Sequence, residues 1–443
     1  MDKVLGDMPY VLFVGSGVDL LRQLPLIASL RQRSDLPVVQ MYKSAADAIL
    51  NRVMKEGHPI WHESQVTQGP APDADASWII DARRAFDGWR RNVSPPLRGI
   101  FANPYMDIHF DFIFGEYLSR MAWHIEAWRG FLGRYRPRLV VANYAGPILD
   151  VAGAMEIPCL LLPHGPMVMG DMRLYRGLPK SSRIGAISDA HQQRLLAGGI
   201  ESDRVYVTGD PGFDSLVAQA GRHGDRIERQ GENGIVSLSG VDAGRRTILL
   251  ATANITSAAT TTRLPEVDWK DAVRCFEDLA ALAGRRPEWR FLIKRHPRYD
   301  HHQLYERVNR RLAPDARMTV VSDEALEQLV PGVDVVVFPN TRTSAILEAS
   351  LWARPVYILQ SSMIWTDHRA WAMEPWPQLD SVAELESELD AIFTDPHRYR
   401  QRVRQTRNAL HGYYEGPPTP SVPRCVRVIE ELVGDRTLER QIG

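Results

Sequence analysis

The chain has 443 residues, of which 44% are hydrophobic and 24% charged, enough to bury a large core and long enough to favour two domains over one. With 53 basic against 54 acidic side chains the formal net charge is −1, which excludes a general electrostatic attraction to nucleic acid or to an anionic membrane surface. An anionic ligand therefore has to be met by charge placed locally. The three cysteines, Cys159, Cys275 and Cys425, have no paired spacing, which argues against a disulfide framework or a zinc site and for a reducing cytoplasm. The opening "MDKVLGDMPYVLFVGSG" has too short an apolar stretch for a signal peptide, and no window reaches the ~18 uninterrupted apolar residues of a membrane span.

In chain order, "YVLFVGSG" (10–17) predicts a strand ending in a small-residue turn, and the following "VDLLRQLPLIASLRQR" has helical spacing. Further on, "RLVVANYAGPILDVAGAMEIPCLLLPHG" reads as strand, loop, helix and strand, a βαβ unit that implies a parallel sheet. The segment 183–216 repeats the design, with Ser188 as N-cap, a helix ended by Gly198–Gly199, and a strand at 204–208. Between 221 and 246 glycine and charge dominate and the apolar periodicity lapses, as an interdomain connection would. A second alternating series follows. It runs through "TILLATAN" (247–254), the helix "DWKDAVRCFEDLAALAG", the strand "FLIKRHPRY" (291–299), a helix near 302–312, "MTVVS", a short helix at 323–329, "DVVVF", "TSAILEASLWA" and "PVYIL". "EGPPTPSVP" (415–423) is a rigid connector before a last helix, 424–433. The expected architecture is α/β: two doubly wound, Rossmann-like parallel-sheet domains facing across a cleft, residues 1–220 and 247–414, with 415–443 as connector and helix.

Ligands of such sheets bind beyond the carboxyl ends of the strands. The unusual residues collect there: Gly15–Gly17, Asn143–Tyr144, His164–Gly165, Thr252–Asn254, His296–Pro297 and Asn340–Thr343. In "FPNTRTSAILEAS" a strand passes into a helix, so free backbone N–H groups, the hydroxyls of Thr341, Thr343 and Ser344, and the charge of Arg342 suit an anion. Glu348, one turn after Ser344, can accept hydrogen bonds from ribose hydroxyls. The plain alternative is an N-capped helix with a solvated glutamate. Lys294, Arg295 and His296 form a second cluster able to meet a phosphate, and the alternative there is a His–Pro strand stop. Ser322 in "TVVSDEAL" offers itself to a base edge. Asp107, His109 and Asp111 alternate along "YMDIHFDFIFGE", a spacing that invites a metal but fits the polar face of a strand better. His301 and His302 with His296 make no better metal site, and no metal is expected.

"KRHPR" followed by "VDVVVFPNTRTSAILEASLWARPVYIL" resembles the donor-binding half of GT-B glycosyltransferases, specifically the group with an HP motif: bacterial capsule Kdo- and sialyltransferases and CDP-glycerol glycerophosphotransferases. "LLLPHGPM" is similar to the HG element of those proteins, and "AISDAHQQRLLAGGIESDRVYVTGDPGFDSL" to the last strand–helix–strand of their first domain. The likeness covers roughly 138–360, and Thr341–Arg342–Thr343–Ser344 departs from the commoner serine-pair phosphate motif.

The resemblance implies a transferase moving a sugar of the Kdo or sialic acid kind from a nucleotide donor, CMP-linked, to an acceptor glycan or glycolipid of bacterial surface polysaccharide, with no cofactor. It implies no nucleic acid partner, and it implies a cytoplasmic protein that meets the inner face of the membrane through its acceptor. His296 would stabilise the departing phosphate, Glu348 would sit near the ribose, and Asn254 would lie at the donor site. His164 is a candidate general base because its unperturbed pKa is close to working pH. The alternative for it is a loop histidine bonded to a carbonyl. Asp107, Asp111, Glu116 and Asp171 compete for the same task. A CDP-glycerol-type transferase, a hydrolysing or epimerising enzyme on a UDP-sugar, and a non-catalytic nucleotide-sugar-binding protein stay open beside the main reading.

Overall fold

Strands of alternating core faces set the architecture. In the computed structural model, which describes residues 9–15, 19–33, 37–42, 47–55, 60–62, 77–92, 113–144, 146–163, 175, 177–230, 245–252, 269–295, 310, 318–321, 326–339, 345–359, 376–414 and 420–439, the chain builds two wholly parallel sheets. The first is formed by β1 (Val11–Gly15), β2 (Val38–Tyr42), β3 (Ile60–His62), β4 (Leu139–Ala142), β5 (Cys159–Leu161), β6 (Ser182–Ala186) and β7 (Val205–Val207), in the order β3-β2-β1-β4-β5-β6-β7. The second is formed by β8 (Arg246–Ala251), β9 (Trp289–Lys294), β10 (Met318–Val321), β11 (Val335–Pro339), β12 (Val356–Leu359) and β13 (Gln378–Leu379), in the order β10-β9-β8-β11-β12-β13. Their apolar runs have the composition of strands buried on both faces. Tyr10 and Leu12 face one core while Val11 and Phe13 face another, and Ile248 and Leu250 separate from Leu249 and Ala251 in the same way. The two doubly wound sheets expected from the sequence are present.

The helices that matter below are α1 (Asp19–Arg33), α2 (Asp189–Ala197), α3 (Pro211–Gln230), α4 (Ala345–Ser350), α5 (Val382–Thr394), α6 (Pro396–Tyr413) and α7 (Ser421–Glu439). The Ser188 hydroxyl accepts from His191 N at 3.2 Å and caps α2. Its other end closes with Gly199 at φ 87° and Ile200 N donating to Leu195 O at 3.1 Å, the left-handed closure that glycine permits. Helix α3 runs to Gln230, into the stretch whose glycine content reads as a connection. Gly221 and Gly224 weaken a helix by only about 1 kcal/mol each, and the Arg-, Glu- and Gln-rich continuation favours helix.

The final helix lies against the first sheet: Cys425, Val426, Ile429 and Leu432 share a core with Val11, Phe13 and Val141. Another apolar seam joins the two halves, where Ile187, Phe213 and Ala220 pack with Leu410 and Tyr414 against the second sheet. The Phe213 and Tyr414 rings lie 5.3 Å apart. Each cysteine is a buried free thiol, and burial first of all pushes Cys159 and Cys425 up to about 12. Among the described residues no helix is long and apolar enough to cross a membrane.

Candidate functional site

In each sheet one adjacent pair of strands marks where the chain reverses its direction of growth. These switch points are β1/β4 and β8/β11, and the crevice beyond their carboxyl ends is where such folds bind ligands.

At the first switch point the polar side chains come from α1, from β2 and from the residues just past β4. Its buried face reads Asp19, Leu20, Gln23, Leu24, Leu26, Ile27, Leu30, an apolar stripe interrupted by an acid and an amide. Buried polar groups are tolerated only when bonded, and here the bonds run along the sheet's carboxyl edge. Gln40 Nε2, from β2, donates to Gln23 Oε1 at 2.8 Å and to Leu20 O at 3.2 Å. Gln23 Nε2 donates to Asn143 Oδ1 at 2.5 Å and to Val14 O at 3.3 Å, and Asn143 Nδ2 donates to Leu162 O at 2.9 Å. The Tyr144 hydroxyl donates to Asp19 Oδ2. Gln23 and Asn143 are each tied at both ends, which fixes this rim rigidly.

Around the second switch point Thr252, just past β8, donates from N at 2.9 Å and from Oγ1 at 3.2 Å to Lys294 O at the end of β9. Lys294 is buried, with Nζ donating to Arg295 O at 3.2 Å, and Arg295 N donates to Val321 O at 3.4 Å. Glu348 sits in the first turn of α4, which follows β11.

One side chain spans the two. Arg22 of α1 donates from Nη2 to Glu348 Oε1 at 3.1 Å and places Nη1 3.6 Å from Asp210 Oδ2, with side-chain exposures of 14%, 19% and 5%. Asp210 is itself held by Gly212 N, which donates to Oδ1 at 2.8 Å. A Cβ on Gly212 would lie 2.5 Å from Arg22 Cγ, so the glycine is the channel through which the arginine reaches across. Burial works against the Arg22 charge, but Asp210 and Glu348, then Asp19 and Tyr144, outweigh it and raise its pKa above the ordinary value. Beside it lies a recess of about 20 Å³, lined by Arg22, Gln23, Asn143, Leu162, Pro163 and Asp210, room for roughly one water.

The chemistry offered is that of a hydroxyl-rich, partly anionic ligand: carboxylates and amides to accept from hydroxyls, and cations to meet phosphate. Among the described residues no group of three His, Cys, Asp or Glu side chains could hold a metal. Of the residues singled out from the sequence, Lys294, Arg295 and Glu348 are in place at the carboxyl edge, and Glu348 is ion-paired and largely covered, unlike the solvated glutamate of the plain alternative. His164, Asp171, Asp107, Asp111, His296, Ser322, Thr341, Arg342, Thr343, Ser344 and Asn254 lie outside the described residues, as do His109, His301, His302 and the Glu116 side chain. Sequence reasoning passed over Asp19, Arg22, Gln23 and Gln40. The available signal was an acid and an amide four residues apart in the buried stripe of an amphipathic helix.

No family model matches the chain, and no curated protein matches it by sequence. Solved structures do. UDP-GlcNAc 2-epimerase from Neisseria meningitidis, bound to UDP-GlcNAc, superposes with a TM-score of 0.59 at 12% identity, covering 95% of this chain and 99% of that one. HepE of Anabaena, in complex with UDP and glucose, gives 0.51 at 14%, covering 96% and 99%. A glycosyltransferase from Rickettsia africae gives 0.52 at 11%, covering 96% and 99%. The shared architecture is GT-B. The narrower HP-motif group is not singled out by these likenesses: the ligands named for them are UDP, UDP-GlcNAc and glucose, with no CMP- or CDP-linked donor.

Proposed function

We propose that the chain is an enzyme acting on a nucleotide-activated sugar, and that it transfers the glycosyl group to an acceptor hydroxyl. The observation that supports this most is the meeting of the two switch points across Arg22 and Glu348, with a buried amide and carboxylate network on the first sheet and the cations Lys294 and Arg295 at the end of β9 on the second. In this reading the nucleotide lies on the second sheet. Glu348 accepts from the ribose hydroxyls, Lys294, Arg295 and His296 meet the phosphates, the 341–344 segment supplies further phosphate contacts, and Asn254 and Ser322 border the base. The acceptor lies on the first sheet, where His164, or one of Asp107, Asp111 and Asp171, takes its proton. A glycan or glycolipid acceptor of bacterial surface polysaccharide fits this chemistry. A UDP donor is preferred over the CMP donor expected from the HP motif, because UDP is the nucleotide of the neighbours that carry one.

The same neighbours support a second reading, epimerisation of a UDP-sugar, which needs no acceptor. The test is incubation with UDP-, CMP-, CDP- and GDP-linked donors, with and without acceptor glycan, followed by NMR. Free nucleotide formed only with acceptor, and from a UDP-sugar, is expected for transfer. An epimerised UDP-sugar without acceptor identifies the second reading, and turnover of no donor refutes both.

A further inference from the structure

We infer that Arg22 is a latch between the two halves of the protein, and that a nucleotide must displace it from Glu348 in order to bind. The inference rests on the proposed function, since it takes Glu348 as the ribose-binding carboxylate. The two ends of the latch are built differently. On the first half Arg22 stands on α1 beside the buried Gln23, with Asp210 at 3.6 Å, and the missing Cβ of Gly212 leaves space for the arginine stem. Among the described residues of the second half its hydrogen bond is to Glu348, 3.1 Å away on α4. A diol docking on the same carboxylate exchanges a guanidinium–carboxylate contact for hydroxyl–carboxylate contacts. Released, Arg22 keeps Asp210 and Asp19 beside it, so its charge is not left uncompensated on the first half.

The Arg22–Glu348 contact and the apolar seam of Phe213, Leu410 and Tyr414 both join the two halves, and of the two the ion pair is the one that a ligand of Glu348 competes with.

Small-angle scattering and calorimetric titration with UDP, CMP and GDP test this on wild type, Arg22→Gln and Glu348→Gln. The radius of gyration of wild type should rise on adding UDP. Arg22→Gln should start from the expanded value, show no further change, and bind UDP about tenfold more tightly or better, the factor expected when a charge-assisted hydrogen bond no longer competes. Glu348→Gln breaks the same tie from the other side and should open equally while losing UDP affinity. Arg22→Gln that scatters as wild type, or binds UDP more weakly, overturns the latch, the latter because Arg22 would then be assisting the ligand. If none of the three nucleotides binds wild type, the functional reading has failed, and scattering of the two variants still decides the latch.

Discussion

Gly212→Ala is a substitution whose sign depends on a single partner. The glycine is the second residue of α3, and its backbone lies outside the left-handed region. In a first turn of helix Ala is ordinarily the better residue by about 0.5–1 kcal/mol. Here the new Cβ would meet Arg22 Cγ at 2.5 Å, Cδ at 3.0 Å and Nε at 3.1 Å. The stem cannot simply swing aside, because its guanidinium is committed to Glu348 and Asp210. Overpacking of this kind costs about 1–3 kcal/mol, and loss of the charge-assisted bond to Glu348 adds about 1.5–3 kcal/mol if the arginine is expelled. In an Arg22→Ala background the obstructing atoms are gone, so the same Gly212→Ala change should be neutral or slightly stabilising. Urea unfolding of the four proteins of this double-mutant cycle reads the coupling directly. A Gly212→Ala cost that is the same with and without Arg22 would show that the glycine serves the backbone and not the arginine.

Two further outcomes follow from buried ionisable groups. The Glu388 carboxylate collects Tyr357 OH at 3.0 Å, Arg398 Nη2 at 2.7 Å and Arg402 Nε at 2.6 Å, so Glu388→Ala should destabilise by about 1–3 kcal/mol, largely by leaving the buried tyrosine hydroxyl unbonded. Burial opposes the Glu388 charge, but the bonds from Arg402, Arg398 and Tyr357 outweigh it and set its pKa below 4.5; its contribution is complete above that value and is lost as pH falls through the lower one. His191 accepts from Ile187 N at 3.1 Å, and burial, then Arg194, hold its pKa down to about 3. Below its unfolded value of 6.5 only the unfolded imidazole takes a proton, so stability should fall with falling pH by about 1.4 kcal/mol per unit from this group. Urea midpoints near neutrality and near pH 5 should diverge less in His191→Asn than in wild type. Equal divergence would mean that His191 is not buried neutral.

The parts of the fold that sequence reveals are those governed by neighbours along the chain. β8, β9, β11 and β12 are legible because a strand covered on both faces is a run of Val, Ile and Leu bounded by polar turns. The Ser188 cap and the Gly198–Gly199 stop are legible because both act within one helical turn. The end of α3 was hidden by glycines whose local cost the surrounding helix overrides. Within the site, Lys294, Arg295 and Glu348 are marked by standing at strand and helix ends. Arg22 is not so marked, because its partner lies 326 residues away and no period or local motif encodes such a pairing. Gln23 and Gln40 were obscured for the same reason, since an amide in an apolar stripe reads as an exception until its partner is seen, whereas Asn143 is marked by standing at a strand end.

The central claim is that a nucleotide sugar lies where the carboxyl ends of the two sheets meet, with its nucleotide on the second. Hydrogen exchange with and without a saturating UDP-sugar measures this on the unmodified protein. Protection should appear in peptides spanning the carboxyl ends of β8, β9 and β11 and the first turn of α4, while the amino ends of the same strands stay unchanged. Protection confined to the first sheet, or at the amino ends of the second, would contradict the account.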